Sequence, residues 1–439
     1  MCSNRLYGIG VTVGMVAAAA ILCAPRGLIA SPTGADDSEV EPDCPAERAE
    51  HPVEIEIRAY GEAVYEYFDY GPDQRSGERG SPADHRAVTD VPRFVFELEL
   101  EFSSDLELEA ELEYEHLGAG TAIELEYEEF GEYEREVETA GDVELEQLHL
   151  TWKLRPELTL GVGRFLVPVG LSNAETSPLS YLGARRSEAE SALLPVSWFE
   201  TGLQLFGGTG VLRYRGQLVN GLDSSGFSSQ RWIAQGHQRR FEQVRATSLA
   251  GVLAIDVVPI SGCELGIAGY HGDSNANRPK PDLEGVSGSV SLIEAHGRFE
   301  RGRWLARALV LRGFVENADL ITAKNGRLSQ NLGVLRSPVA KEAGLWLVEA
   351  GYDVWPWIQV DHEFRLIPFL RVERYDTMAA VDPGIFDDPR FERTVTTAGL
   401  DFFLRRNVVF KTDYSVRSLG ADRFRDEKTF RCGFAFDTH

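Results

Sequence analysis

The sequence predicts an all-β fold: a single antiparallel transmembrane β-barrel of about 16 strands with short periplasmic turns and long extracellular loops. Three observations lead to this prediction. From residue 53 onward apolar and polar side chains alternate with a period of two, and short and long links alternate between the candidate strands. Beyond the N-terminus, no run of about 18 apolar residues occurs, which excludes a helical membrane protein.

The N-terminal segment is predicted to be a signal peptide over residues 1–30. Residues 9–22 form an uncharged, alanine-rich apolar stretch, and residues 28–30 offer a cleavage site before Ser31. The competing hypothesis, a lipoprotein attached at Cys23, is disfavoured because the bulky Leu22 precedes the cysteine. Residues 31–52, rich in Pro, Asp and Glu, are predicted to be a disordered acidic leader. Residues 53–439 are assigned to the barrel.

The strands show their alternation most clearly between residues 94 and 115. Phe96, Leu98 and Leu100 share one face, and the glutamates between them share the other. On a helix these apolar residues would spiral around all sides, so the segment is predicted to be extended. The same rule places Phe402 toward lipid and Asp401 toward water, where an arginine is expected to be tolerated. A β-sandwich or propeller, the soluble alternative, varies its loop lengths without this strict order.

The links between the candidate strands alternate in length along the whole chain. The short links lie near residues 103–105, 155–157, 207–210, 259–262, 300–303, 355–357 and 405–407. The long links run roughly over residues 68–93, 117–142, 169–197, 220–243, 272–287, 317–342, 376–393 and 418–427. Short turns on one side, long loops on the other and an even number of strands of about ten residues are typical of an outer-membrane barrel.

The charge is unevenly distributed. The chain has 44 basic and 69 acidic residues, a formal net charge of −25. This acidity argues against a nucleic-acid partner, because phosphates need neutralising Lys and Arg. Residues 94–146 hold 20 acidic residues and one base, Arg135, a net of −19. Because acids dominate the early strands and arginines the later ones, we expect a transverse field across the pore.

Several short motifs occur in a characteristic order. They are AYGE (59–62), ELEYEH (111–116), GRFLVPVG (163–170), WFETG (198–202), NGLD (220–223), GYDV (351–354), PFLRVERYD (368–376) and KTDY (411–414). Together they make the chain resemble the phosphate-selective porin O and P family and its porin-like relatives of unassigned substrate. The resemblance implies a sixteen-stranded, often trimeric diffusion channel in the outer membrane of a Gram-negative bacterium. The C-terminus departs from the pattern, because Asp437-Thr438-His439 follow the aromatic Phe436.

The candidate pore-lining residues are charged side chains predicted to face the lumen. They are Arg185, Arg186, Arg213, Arg215, Arg365, Arg371, Lys411, Glu97, Glu99, Glu101, Glu109, Glu111 and Glu113. The glutamates are either a solvated wall or a fixed negative potential that attracts cations. The cations either form a ladder that conducts anions such as phosphate, or pair with lumen carboxylates and brace the wall.

The link between residues 170 and 197 is a candidate constriction loop. Arg185 and Arg186 lie between apolar anchors at Leu182 and at residues 193–194. Such anchors are expected to fold the loop inward and leave its charges in the water-filled path. The alternative is an extracellular loop that contacts a neighbouring subunit.

No catalytic, cofactor or metal site is predicted. In Asp361-His362-Glu363, the histidine of an extended strand points away from both carboxylates. Residues 273–284 have the oxygen spacing of a calcium loop, but Arg278 stands where the sharp turn requires glycine. Cys44, Cys263 and Cys432 are too few for a disulfide framework, and one bridge among them is left open.

These observations predict a passive outer-membrane porin for small hydrophilic charged solutes, with no enzymatic activity. The expected partners are outer-membrane lipid, the solutes and further copies of the chain in a homotrimer. The alternative is a barrel plugged by its loops, with an adhesion or structural envelope role.

Overall fold

The computed structural model describes residues 53–72, 83–116, 124–125, 135–136, 143–174, 176–238, 243–328, 337–358 and 364–438. Sixteen antiparallel strands form one closed barrel, in which consecutive strands pair and the first strand pairs with the last. The predicted fold class is therefore confirmed. The predicted signal peptide, the acidic leader and residues 361–363 lie outside the described residues.

The barrel strands are numbered β1 to β16 in chain order. Their bounds are β1 (Glu54–Pro72), β2 (Ala83–Ser103), β3 (Leu106–Glu115), β4 (Val143–Arg155), β5 (Leu158–Leu166), β6 (Phe199–Thr209), β7 (Leu212–Asn220), β8 (Leu249–Ile260), β9 (Cys263–Asp273), β10 (Ser289–Arg301), β11 (Trp304–Val315), β12 (Glu342–Tyr352), β13 (Arg365–Ala380), β14 (Glu392–Arg405), β15 (Val408–Leu419) and β16 (Glu427–Asp437). A separate pairing joins Glu124–Leu125 to Arg135–Glu136. Each even-numbered strand connects to the next odd-numbered strand by a two-residue link, except that residues 353–364 join β12 to β13. We call that end of the barrel the short-turn end and the opposite end the loop end.

Short helices lie in the links between strands. They are α1 (Leu171–Ala174), α2 (Glu188–Leu193), α3 (Ala318–Asn325) and α4 (Trp355–Ile358), and 3-10 turns cover Ser224–Gly226, Ala234–Gly236 and Pro389–Phe391. Among the residues that the structure describes, no helix is both long and apolar enough to cross a membrane.

The alternation predicted from the sequence orients the side chains along the strands. In β2 the outward Phe96 is 40% exposed, whereas Val95 is buried in the interior. In β14 Phe402 stacks on the outward Phe364, and Asp401 faces inward and is buried. The outer face therefore presents aliphatic and aromatic side chains. This sets the register of each strand pair, because a slip by one residue would turn the apolar set inward.

Two predictions of element length were wrong. β1 has 19 residues and β2 has 21, so much of the link predicted at residues 68–93 is strand. The backbones of β1 and β2 pair with each other as far as Pro72 and Ala83, which satisfies their hydrogen bonds whatever the polarity of the side chains. The link at residues 353–364 is also longer than a tight turn, since it contains α4.

The interior is not uniformly polar, contrary to the expectation of a water-filled lumen. Inward residues of β8 to β13, among them Val252 and Leu345, pack with apolar residues of the long links, such as Leu222 and Trp232. Trp232 is fully buried, and its Nε1 donates to Ala340 O at 3.0 Å. The links at the loop end thus fold into the barrel and build an apolar core on this side.

Candidate functional site

Residues 167–174 and 176–198, between β5 and β6, cross the interior of the barrel, and we call these residues the strap. Its apolar anchors are buried in two clusters, Leu182 in one and Leu193 and Leu194 in the other. The segment therefore folds inward, as its anchors predicted, and does not extend away from the barrel toward a neighbouring subunit.

Carboxylates of the barrel wall accept hydrogen bonds from the backbone of the strap. Asp401 accepts from Gly183 N at 3.2 Å, and Asp413 accepts from Ala184 N at 2.8 Å. Gly183 has a φ of +81°, a conformation that glycine adopts without strain. The expectation that Asp401 faces water was wrong, because this inward side chain meets the strap.

Cationic side chains of the wall donate to carbonyl oxygens of the strap. Lys411 Nζ donates to Pro178 O at 2.6 Å and to Tyr181 O at 2.7 Å. Arg307 Nη1 donates to Ser180 O at 2.8 Å. A buried charge needs such partners, and these contacts join β11 and β15 to the strap.

Arg371 joins the wall and the strap. Its Nε donates to Glu349 Oε2 at 2.7 Å, and its terminal nitrogens donate to Arg185 O, at 3.2 Å, and to Leu182 O. Arg371 and Lys411 were predicted to line the pore. Both lie on the inner face, but their donors are engaged by fixed partners.

The two arginines of the strap are also held by neighbouring groups. Arg185 Nη2 donates to Glu66 Oε2 at 2.6 Å and to Asp90 Oδ2 at 2.9 Å, which links the strap to β1 and β2. Arg186 Nη2 donates to Thr176 O at 3.0 Å, within the strap itself. Arg185 therefore pairs with lumen carboxylates and braces the wall, which was one of the two roles predicted for the arginines.

The helix α2 of the strap carries an acid that pairs with the wall. Glu188 accepts from Arg417 at 2.7 and 2.8 Å, through both carboxylate oxygens, and also from the Tyr375 hydroxyl. Burial by itself would raise the pKa of Glu188. The positive charge and hydrogen bonds of Arg417 outweigh burial, and they lower this pKa to about 2.

The three remaining predicted cations lie toward the short-turn end. Arg213 pairs with Glu264 at 2.9 Å, and its side chain is 64% exposed. Arg365 lies 3.3 Å from Glu300. Arg215 borders the cavity described below. These side chains are more open to water than Arg371 and Lys411.

The predicted glutamates form an acidic wall on the inner faces of β2 and β3. This acidic wall consists of Glu97, Glu99, Glu101, Glu109, Glu111 and Glu113. The register places Glu97 beside Glu111 and Glu99 beside Glu109. Glu111 also accepts from the Tyr60 hydroxyl at 2.5 Å. Neighbouring carboxylates in such a row give this side of the interior a negative potential.

A cavity of about 620 Å³ lies beside the acidic wall. Its lining includes Glu101, Ser103, Asp105, Glu109, His149, Thr151, Lys153, Arg215 and, from the strap, Thr176. It reaches from the short-turn end to the strap along β2 to β7, and polar side chains predominate in its lining. The cavity is therefore off-centre, between the acidic wall and the strap.

The transverse field expected across the pore stays a prediction. Two of the cations expected to produce it, Arg371 and Lys411, are engaged by a carboxylate and by strap carbonyls. Glu373 also holds the strap, since its Oε2 accepts from Ser187 Oγ at 2.8 Å and from Ala189 N at 2.9 Å. Glu349, Glu373, Asp413 and Arg307 were not among the predicted pore residues. The sequence did contain a signal for one of them. Glu349 follows two inward leucines, Leu345 and Leu347, on the same strand. A charge in an apolar inward row needs a specific partner.

The structure also bears on the cysteines and on the segment with calcium-loop spacing. Cys263 and Cys432 are free thiols, and Cys44 lies outside the described residues. In the segment with calcium-loop spacing, Asp273 accepts from Asn275 N at 2.8 Å, and the Asn277 amide donates to Gly221 O at 2.9 Å. These groups hold the link in place, which follows the interpretation as a polar loop.

No protein-family model matches the chain. An uncharacterized protein of Aquifex aeolicus is 24% identical over 283 residues, which are 63% of this chain and 62% of that protein. Among solved structures, an anion-selective porin from Comamonas acidovorans aligns with a TM-score of 0.50 and 9% identity, over 88% of this chain and 99% of the porin. OmpF of Salmonella typhi in complex with daunomycin also aligns with a TM-score of 0.50, at 13% identity, over 87% of this chain and 97% of OmpF. At these identities the likeness concerns the fold alone, and the resemblance to the phosphate-selective family stays a prediction. The chain therefore shares the closed barrel fold of porins.

Proposed function

We propose that the chain is a passive diffusion channel in the outer membrane of a Gram-negative bacterium and conducts small hydrophilic charged solutes. The observation that carries this proposal is the polar cavity that reaches from the short-turn end to the strap. It lies inside a closed barrel whose outer face is apolar, the arrangement suited to lipid outside and water inside. The fold shared with two porins supports the same function.

The proposed selectivity is for cations over anions. Glu101, Glu107 and Glu109 line the cavity, where carboxylates attract cations. Phosphate conduction is less well supported, because it needs cations with free donors, and the donors of Arg371 and Lys411 are engaged by the strap.

Reversal potentials in a KCl gradient across a planar bilayer test this proposal. We expect the wild-type protein to prefer K⁺, and Glu101→Gln with Glu109→Gln to bring the permeability ratio closer to one. The matched control is Glu342→Gln, an acid that lies outside the cavity and pairs with Arg312 at 3.2 Å. A wild-type preference for Cl⁻, or an equal change in the control, would contradict the proposed selectivity.

A second candidate function is a plugged barrel with a structural or adhesive role. The observation that favours it is the apolar core that the long links build inside the barrel, with Trp232 and Leu222 fully buried. Swelling of liposomes in small sugars separates the two candidates. Swelling supports the channel, and its absence at full incorporation supports the plugged barrel.

We also propose that the channel assembles as a homotrimer within outer-membrane lipid, as the resemblance to porins implies. The apolar side chains of the outer face, such as Ile55 and Ile57 of β1, can be covered either by lipid or by a neighbouring subunit. Chemical cross-linking in mild detergent is expected to give a trimer, and a monomer alone would contradict this assembly.

A further inference from the structure

Three side chains with metal-binding atoms meet on the inner faces of neighbouring strands. They are Asp256 on β8, Glu264 on β9 and His296 on β10, and one ligand atom from each lies within 4.8 Å of the other two. The side chains of Asp256 and Glu264 are partly exposed to the interior, so an ion can reach them. An imidazole with two carboxylates is a set of donors that zinc-like divalent cations prefer.

The imidazole is already oriented for metal binding. His296 Nδ1 lies 3.2 Å from Glu294 Oε1, and Glu294 is 2% exposed. Metal-binding histidines generally donate one ring N–H to a carboxylate in this way, which leaves the other nitrogen free to bind the ion. Glu294 Oε2 has no hydrogen-bond partner among the described residues. A positive charge at or beside the imidazole stabilises a buried carboxylate such as Glu294.

Two of the ligand atoms, on Asp256 and His296, lie directly over Gly266. His296 Nε2 approaches Asp256 Oδ1 to 3.1 Å, yet within the described part of the chain this oxygen accepts no hydrogen bond of good geometry. Two ligands of one tetrahedral zinc ion, at bond lengths of about 2.0–2.1 Å, lie about 3.3 Å apart. A Cβ on Gly266 would collide with both Asp256 Oδ1 and His296 Nε2. Because Gly266 has no side chain, these two donor atoms can lie directly over it.

The third ligand residue, Glu264, is paired with two arginines. Glu264 Oε2 accepts from Arg213 Nη1 at 2.9 Å, and Glu264 Oε1 lies 3.6 Å from Arg298. The Arg213 side chain is 64% exposed, and exposed ion pairs of this kind contribute little free energy. Glu264 can therefore exchange Arg213 for an ion at small cost, since water solvates the released guanidinium.

We propose that Asp256, Glu264 and His296 bind a divalent transition-metal ion of the zinc class on the inner wall of the barrel. Glu294 is the positioning residue for the imidazole, Gly266 lets the two donor atoms lie over it, and water completes the coordination. The site is on β8 to β10 and its existence does not depend on whether the barrel conducts ions.

The test is Zn²⁺ binding to the detergent-purified full-length protein by isothermal titration calorimetry, with Co²⁺ absorption as a probe of coordination geometry. We expect one bound Zn²⁺ per chain, which is lost in His296→Ala. Glu294→Gln leaves the three ligands in place and is expected to weaken binding about 10- to 100-fold. Gly266→Ala displaces the two donor atoms over it and should abolish binding, whereas Arg213→Ala should strengthen it by releasing Glu264.

The matched control is His271→Ala, which removes an exposed histidine of β9 that contacts Ser291 at 2.9 Å. It should bind Zn²⁺ as the wild type does. A wild type that binds no Zn²⁺ would overturn the proposal. Binding that survives in His296→Ala, or that is lost equally in His271→Ala, would overturn it as well. Heat-modifiable mobility in gels reports whether each variant still forms the barrel.

Discussion

The Arg371→Met substitution is expected to loosen the strap while the barrel stays closed. Arg371 is buried and donates to Glu349 and to the carbonyl oxygens of Leu182 and Arg185. Methionine keeps an unbranched apolar side chain but supplies none of these donors. Glu349 and Arg371 both belong to the wall, so their ion pair persists when the strap undocks, and docking loses only the donors to the Leu182 and Arg185 carbonyl oxygens. A hydrogen bond from a charged group contributes about 1.5–3 kcal/mol. We therefore expect a loss of about 3 kcal/mol for the two, which is roughly a hundredfold rise in the undocked population.

Thiol labelling of Ala184→Cys measures this population. Ala184 is 5% exposed on the docked strap, and Cys44, Cys263 and Cys432 are replaced by serine in the background. The labelling rate should rise about a hundredfold in Arg371→Met, in proportion to the undocked fraction. The matched control is Arg374→Met on the same strand. The Arg374 side chain is 54% exposed and pairs with Glu392, so its loss should cost about 0–1 kcal/mol. Equal labelling rates in the two variants would refute the role assigned to Arg371.

Three further predictions address the wall, the pH dependence and the strap arginines. Asp401→Arg should impair the barrel more than Phe402→Arg. The former places a second cation beside Lys411 at a cost of about 3 kcal/mol or more, whereas Phe402 pairs with Phe410 close to the short-turn end, where an outward arginine costs about 0–1 kcal/mol. Heat-modifiable gel mobility compares the two, and a greater loss in Phe402→Arg would contradict the assignment. Because the pKa of Glu188 is lowered to about 2, its pairing with Arg417 stabilises the docked strap fully above about pH 4.5. This stabilisation is lost as the pH falls toward 2, so labelling of Ala184→Cys should accelerate over that window. Glu188→Gln should reduce the acceleration, and the remainder comes from the other carboxylates that hold the strap, such as Asp413 and Glu66. Arg185→Glu with Arg186→Glu replaces two cations of the strap by acids, the first of them beside Glu66 and Asp90, so it should shift the reversal potential toward cations and leave the cross-linked oligomer unchanged. An unchanged potential with a weakened oligomer would instead favour a subunit contact.

The strand pattern was predictable because each face of a barrel strand meets one solvent. Phe96, Phe402 and Phe410 face out and Lys411 faces in, as a period of two requires. The inward fold of the strap also followed from local sequence, through its apolar anchors Leu182, Leu193 and Leu194.

The partners of the inward charges were not predictable in the same way. The contacts of Lys411 with Pro178 and of Arg307 with Ser180 join residues far apart in the chain, and no periodicity encodes them. The apolar core was missed for a related reason. Val252 and Leu345 have the same alternation whether they face water or a folded link, so the pattern specifies the face and not what covers it.

The strap also bears on how the barrel closes. The first and last strands pair along one seam, and the strap contacts both sides of it, since Tyr181 donates to Glu62 on β1 at 2.6 Å and Ser177 donates to Asp437 on β16 at 2.5 Å. Both contacts are present together only when the first and last strands have met. The docked strap therefore joins β1 to β16 in addition to their backbone pairing, and opening the barrel at this seam must also break the contacts of the strap.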